Sequence, residues 1–151
     1  MKLQAIAILT FLIFENVMAQ ETTTTKYINS TDMEALKLTQ EWDKTFTQSD
    51  KVEHTKITFH NRYGITLAAD LYKPKNTHGR LAAIAVSGPY GAVKEQVSGR
   101  YAQTLAERGF LTIAFDPSYY GESGGTPRYL TSPEISTEDF SAAVDYLTSR
   151  A

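Results

Sequence analysis

The residues Gly121-Glu122-Ser123-Gly124-Gly125 spell Gly-x-Ser-x-Gly, the spacing with which a sharp turn holds a serine hydroxyl out for nucleophilic attack. Such a turn needs a buried strand directly before it and a helix directly after it. Here Asp116-Pro117-Ser118-Tyr119-Tyr120 separates the motif from the nearest apolar run, and Thr126-Pro127 stands where the helix would begin. A serine nucleophile also needs a general base, and where this turn is used the histidine follows the serine in sequence. His54, His60 and His78 all precede Ser123. Ser123 therefore reads as part of a tight loop and not as a nucleophile.

A second loop is better placed for chemistry. Gly88-Pro89-Tyr90-Gly91 directly follows the apolar run 81–87. Backbone N–H groups and a phenol at the end of a buried strand are donors suited to a developing oxyanion. The same four residues also suffice simply to turn the chain, and both readings stand. A dinucleotide site is the rival, because a Gly-rich loop after a strand, with Asp116 closing the next strand, follows its logic. Against it, Gly88-Pro89-Tyr90-Gly91-Ala92-Val93 is not Gly-x-Gly-x-x-Gly, and Pro89 removes an N–H that a pyrophosphate would use. No cofactor is expected. The chain has no cysteine, which rules out disulfides, thiolate ligands and cysteine nucleophiles, and its three histidines match no metal-binding spacing. No metal site is expected either.

Several elements must position these loops. Residues 81–87 form an unbroken apolar run, the pattern of a strand buried on both faces. A helix follows with Val97, Tyr101, Ala102, Leu105 and Ala106 on one face, and Gly109 ends it. Residues 110–115 make a second apolar run, closed by Asp116-Pro117. This is one parallel strand–helix–strand unit whose strand ends face a single crevice. Upstream, 52–59 and 65–72 read as two strands joined by Asn61-Arg62-Tyr63-Gly64, hence antiparallel. Ile65, Leu67, Ala69 and Leu71 alternate along the second. Ser136 is placed to cap a last helix, with Asp139 at the capping-box position and Phe140, Ala143, Val144 and Leu147 as its apolar face. Before the hairpin, Asp32 is placed to cap a helix carrying Ala35, Leu38, Trp42 and Phe46. The order predicts an α/β architecture, a largely parallel sheet with an antiparallel edge.

The amino terminus reads as a targeting segment. Met1-Lys2 is a short positive start, 3–14 an apolar core, and Val17-Met18-Ala19 a small-residue cleavage pattern before Gln20. The apolar part, about a dozen residues, is short for a bilayer span, and Glu15 and Asn16 end it early. Export is favoured over an uncleaved anchor, with a periplasmic or secreted mature protein and no stable membrane anchor after cleavage. Asn29-Ser30-Thr31 is a glycosylation sequon, meaningful only in a eukaryotic secretory host. The net charge of −2 and the scattered lysines and arginines give no nucleic-acid footprint. Three segments result: a signal peptide at 1–19, a helical extension at 20–50 and an α/β domain at 51–151.

Four stretches, in order, carry a family resemblance. Residues 62–72, from Arg62-Tyr63-Gly64 to Asp70-Leu71-Tyr72, with Pro74, resemble the opening hairpin of α/β-hydrolases of the Xaa-Pro dipeptidyl-peptidase-like and dienelactone-hydrolase-like groups. Gly88-Pro89-Tyr90-Gly91 through Lys94-Glu95-Gln96 resembles their oxyanion loop. Ala114-Phe115-Asp116 through Gly121-Glu122-Ser123-Gly124-Gly125 is similar to the loop after their fourth strand, and 138–146 to the helix leading into the nucleophile strand. The resemblance implies the N-terminal half of an α/β-hydrolase fold and an exported hydrolase of ester, amide or peptide bonds in small-molecule or peptide substrates. It implies oxyanion donors at Tyr90 and Gly91, through the Tyr90 phenol or a backbone N–H. Asp116, Gly121 and Ser123 would shape the site without doing chemistry. The family's nucleophile, acid and histidine would lie beyond Ala151, leaving the 151 residues alone inactive. A different class, a small exported non-catalytic binding protein, is the alternative.

Overall fold

The computed structural model describes residues 35–150; the signal-like segment, the sequon and Asp32 lie outside them. The elements are β1 (Val52–His60), β2 (Thr66–Pro74), β3 (Ala83–Val86), α1 (Val97–Ala106), β4 (Leu111–Phe115) and α2 (Pro133–Thr148). They form a four-stranded sheet in the order β1-β2-β4-β3. β1 and β2 are antiparallel from Val52↔Pro74 to His60↔Thr66, and β2 and β4 are antiparallel from Ala69↔Phe115 to Tyr72↔Thr112. β3 and β4 are parallel, Ala83 opposite Leu111. The sheet is thus mixed, with its parallel pair supplied by the β3–α1–β4 crossover. Among the described residues, no helix is long and apolar enough to cross a membrane.

The hairpin turn is closed by an asparagine. Asn61 Oδ1 accepts from the N–H groups of Tyr63 (3.1 Å) and Ile65 (3.0 Å), and Gly64 takes φ +75°. This is the local side-chain-to-backbone bonding that makes Asn a turn residue. The Asn61 amide donates in turn to Asp139 Oδ1 at 2.8 Å, tying the turn to α2.

The alternation in β2 places Leu67 and Ala69 on one face with Phe59, Ile113, Phe115 and, from α2, Ala143 and Leu147. The opposite face brings Tyr72 and Ala114 against Phe46, Val52, Ala102 and Ala106. Each fully buried Leu, Ile or Phe contributes roughly 1.5–3 kcal/mol, so a helix is held on either side of the sheet.

Four local expectations are corrected. Residues 35–49 contain no helix. They form an irregular strap whose backbone groups find distant partners: Thr45 N–H donates to Glu95 O (3.0 Å), while the Gln103 side chain accepts from Ser49 N–H and donates to Thr47 O. These bonds replace the i→i−4 ladder. In α1, Val97 and Tyr101 are 58% and 63% exposed, and the buried residues are Ser98, Gly99, Ala102, Gln103 and Ala106. Close approach selects small residues there. A Cβ on Gly99 would sit 2.2 Å from Lys94 O and 3.2 Å from Phe46 and Tyr72. β3 is shorter than its apolar run and only partly buried, because it pairs on one side alone. Finally, α2 begins earlier than Ser136. Ser132 is its N-cap, accepting from Ile135 N–H, and Pro133 occupies the first turn, where a missing N–H costs nothing. Phe140 and Val144 face outward, and Asp139 is buried rather than capping.

Gly99→Ala gains about 1 kcal/mol of helix propensity but overpacks the α1–strap contact. It is expected to lower stability by about 1–3 kcal/mol net, read as a reduced urea midpoint at unchanged m-value.

Candidate active-site crevice

The C-terminal ends of β3 and β4 open on the same side of the sheet. The loop after β3 and the loop after β4 enclose a crevice of about 200 Å³, with Gly88, Tyr90, Gly91, Tyr120, Thr131 and Phe140 among its walls. Gly91 turns the chain at φ +77°, a left-handed conformation that favours glycine. The turn is closed by Ala92 N–H donating to Pro89 O at 3.0 Å. Among the described residues, the N–H groups of Tyr90 and Gly91 have no acceptor. Tyr90 is 79% exposed, its ring 6.0 Å from that of Tyr120 at 69°. Two residues singled out from sequence thus stand together at the lip of an apolar crevice.

Asp116 lies behind the crevice and joins the loops. Its fully buried carboxylate accepts from Lys94 N–H (2.7 Å), Lys94 Nζ (2.8 Å) and Glu122 N–H (2.9 Å). Gly121 makes room for it, since a Cβ there would fall 2.2 Å from an Asp116 oxygen. Asp116 faces inward and its acceptors are occupied, so it is not free to bind a ribose. Ser123 is equally committed. Its hydroxyl donates to Asp116 O (2.7 Å) and accepts from Ala68 N–H (2.8 Å), pinning the loop to β2. Arg128 donates to the carbonyls of Ser123 and Gly121 from the other side. The Gly-x-Ser-x-Gly spelling therefore describes a braced loop.

Lys94 Nζ also pairs with Glu95 and with Glu122 (2.7 Å). Glu122 reaches Lys56 at 3.0 Å, Lys56 reaches Asp43 at 2.9 Å, and Asp43 reaches Lys44 at 2.7 Å. Lys44 then meets Asp70, which His54 contacts at 2.7 Å. This series of charges binds the strap to the loop after β4. Asp43, Glu95 and Glu122 bring carboxylate oxygens within 4.8 Å of one another, but the Lys44, Lys56 and Lys94 ammoniums already pair with them. None of the three histidines lines the crevice. Lys94 is the residue that sequence reasoning undervalued, because its partner Asp116 lies 22 positions away and no local pattern pairs them. Tyr120 and Phe140 likewise carry no local signal that marks them as crevice residues.

Burial pushes the Glu122 carboxyl up, but hydrogen bonds from Lys94, the Thr39 N–H and Lys56 outweigh it and hold the group at about 2. Asp43 also comes down to about 2, its burial outweighed by Lys44 and Lys56. Burial raises Glu95 and, in α2, Asp139. For the two lowered groups the folded value lies below the unfolded one, so their stabilisation is present above about pH 4.5 and is lost as pH falls toward 2. Protonation of Glu95 and Asp139 offsets part of this loss. Urea midpoints are expected to fall between about pH 4.5 and 2, and Lys56→Met to flatten that slope.

Comparison with known proteins agrees with this geometry. The model of the X-Pro dipeptidyl-peptidase (S15) family matches residues 63–150. The uncharacterized protein PA2218 of Pseudomonas aeruginosa is 68% identical over 127 residues, covering 83% of this chain and 34% of that protein. Its crystal structure superposes with a TM-score of 0.75 at 72% identity, over 76% of this chain and 36% of that one. The uncharacterized protein YcjY of Escherichia coli is 50% identical over 99 residues, 63% of this chain and 32% of its own length. The α/β-hydrolase GrgF from Penicillium shares the fold, with a TM-score of 0.57 at 24% identity over 66% of this chain and 33% of that one. The chain spans about a third of the length of these relatives. The family model spans more than half of the chain, which therefore belongs to the X-Pro dipeptidyl-peptidase (S15) family, on an α/β-hydrolase fold.

Proposed function

We propose that the full-length protein is an exported hydrolase that cleaves an ester or amide bond of a small molecule or peptide through a serine-type acyl-enzyme. In this reading, residues 35–150 supply the oxyanion side of the site. The nucleophile, its histidine and the acid orienting that histidine come from residues that follow Ala151. The observation that carries the reading is that the Tyr90 and Gly91 N–H groups, without an acceptor among the described residues, and the Tyr90 side chain stand at the lip of the crevice. Donors fixed there act on charge as it develops on the carbonyl oxygen.

The chemistry requires no proton from the loop. A serine oxygen from the C-terminal part bonds to the carbonyl carbon, and its proton passes to the histidine. The carbonyl π pair moves onto oxygen, which the donors of this half receive. Collapse expels the alcohol or amine, which takes the proton back, and water repeats the sequence to free the acid. Asp116, Lys94 and Ser123 keep the two loops at a fixed separation throughout.

The test is hydrolysis of p-nitrophenyl acetate by the full-length protein. Tyr90→Phe is expected to lower kcat about 10²- to 10³-fold with little change in KM, while an unchanged kcat moves the role to a backbone N–H. Ser123→Ala is expected to keep turnover yet lose about 1–3 kcal/mol of stability, because the Ala68 N–H and Asp116 C=O lose a buried partner. A Ser123→Ala protein that folds at full stability and has no turnover sinks the assignment.

A further inference from the structure

The crevice is walled by rings and turns. Among the described residues that line it, Pro89, Tyr90, Pro117, Tyr120, Thr131 and Phe140 included, none is charged. The nearest acids and lysines are occupied behind it, Lys94 by Asp116, Glu95 and Glu122. The rings are held in place. The Tyr120 hydroxyl donates to Tyr129 O at 3.2 Å and bonds the Thr131 hydroxyl at 2.7 Å. Its ring meets those of Tyr90 and Tyr129 edge-on, each at 6.0 Å. Phe140 is 43% exposed on the outer side of α2, and its ring stands edge-on to Phe115 at 5.0 Å.

Resting on the acyl-transfer reading of this crevice, the geometry points to a compact, uncharged, phenyl-sized group bonded to the reacting carbonyl as the part of the substrate received here, with Phe140 and Tyr120 setting its size. An apolar cavity of about 150 Å³ holds benzene, so about 200 Å³ has room for one ring. A ligand ring extends the edge-to-face packing already present. The terminal ammonium of a peptide, by contrast, would find no carboxylate among the described lining residues to pair with it. The donors at Tyr90 and Gly91 lie at the lip, where the carbonyl of a group seated in the crevice emerges.

The test uses the full-length protein. On the acyl side, p-nitrophenyl benzoate is compared with p-nitrophenyl acetate; on the alcohol side, benzyl acetate with ethyl acetate. In one pair the ring is expected to raise kcat/KM at least about tenfold, and that pair identifies the side. In the parent protein, a naphthyl group at the same position is expected to lose the advantage. Phe140→Trp, which fills the crevice, is expected to lower the phenyl-to-methyl ratio about tenfold. Acetophenone, which cannot be hydrolysed, is expected to bind saturably by NMR, and Phe140→Trp to weaken it by a similar factor. Ester turnover without a phenyl advantage, or preference for alanyl-prolyl-p-nitroanilide over every ester, overturns this inference while leaving the hydrolase reading intact. Acetophenone binding sensitive to Phe140→Trp, without turnover of any ester or anilide, upholds the pocket and overturns the hydrolase reading.

Discussion

A buried carboxylate must be hydrogen-bonded and paired or it will not remain charged, and Asp116 meets that requirement with groups from two different loops. Lys94 supplies its backbone N–H and its ammonium from the loop after β3, and Glu122 supplies an N–H from the loop after β4. The pair therefore fixes the distance between the crevice walls. Removing one partner from such a pair typically costs about 3–5 kcal/mol, because the other is left as an uncompensated buried charge. That asymmetry explains why the surroundings are so closely fitted. Gly121 leaves room for the carboxylate, Ser123 bonds the Asp116 carbonyl, and Arg128 closes the turn from outside.

The same network reaches the strap. Lys56 stands between Asp43 and Glu122, so residues of the strap, β1 and the loop after β4 share one set of charges. Gln103 and Glu95 add partners for the strap's backbone. A segment held in this way does not need a helix to satisfy its polar groups. It can lay Trp42 and Phe46 against His54 and the α1 face instead, with the Trp42 ring 5.1 Å from His54 and 5.6 Å from Phe46.

Charge and ring chemistry are thus segregated. Behind the loops lie the lysines and carboxylates that fix geometry; in front lies a wall of tyrosines, prolines and a phenylalanine, with the unpaired Tyr90 and Gly91 donors at its lip. Under the proposed acyl-transfer reading, this arrangement suits a site that receives an uncharged group and handles charge only as it appears on a reacting carbonyl. It also assigns different tasks to the two glycine loops. One presents donors, and the other is a brace.

Local pattern was enough for much of this. The alternation of Ile65, Leu67, Ala69 and Leu71 and the turn at Asn61–Gly64 set the hairpin, and a glycine turn straight after an apolar run placed Tyr90 and Gly91 at a strand end. The spacing around Ser123, without a strand before or a helix after, was enough to read it as a loop. These features were legible because periodicity, glycine and asparagine act over a few residues. What tertiary structure decided was which side of each helix turned inward, that residues 35–49 stayed irregular, and that Lys94 met Asp116. Val97 and Tyr101 look like a buried stripe, yet α1 turns Gly99, Ala102 and Ala106 toward Phe46 and Tyr72 instead. The burial of a side chain and the pairing of a charge depend on atoms far away in sequence, and only the folded packing brings those atoms together.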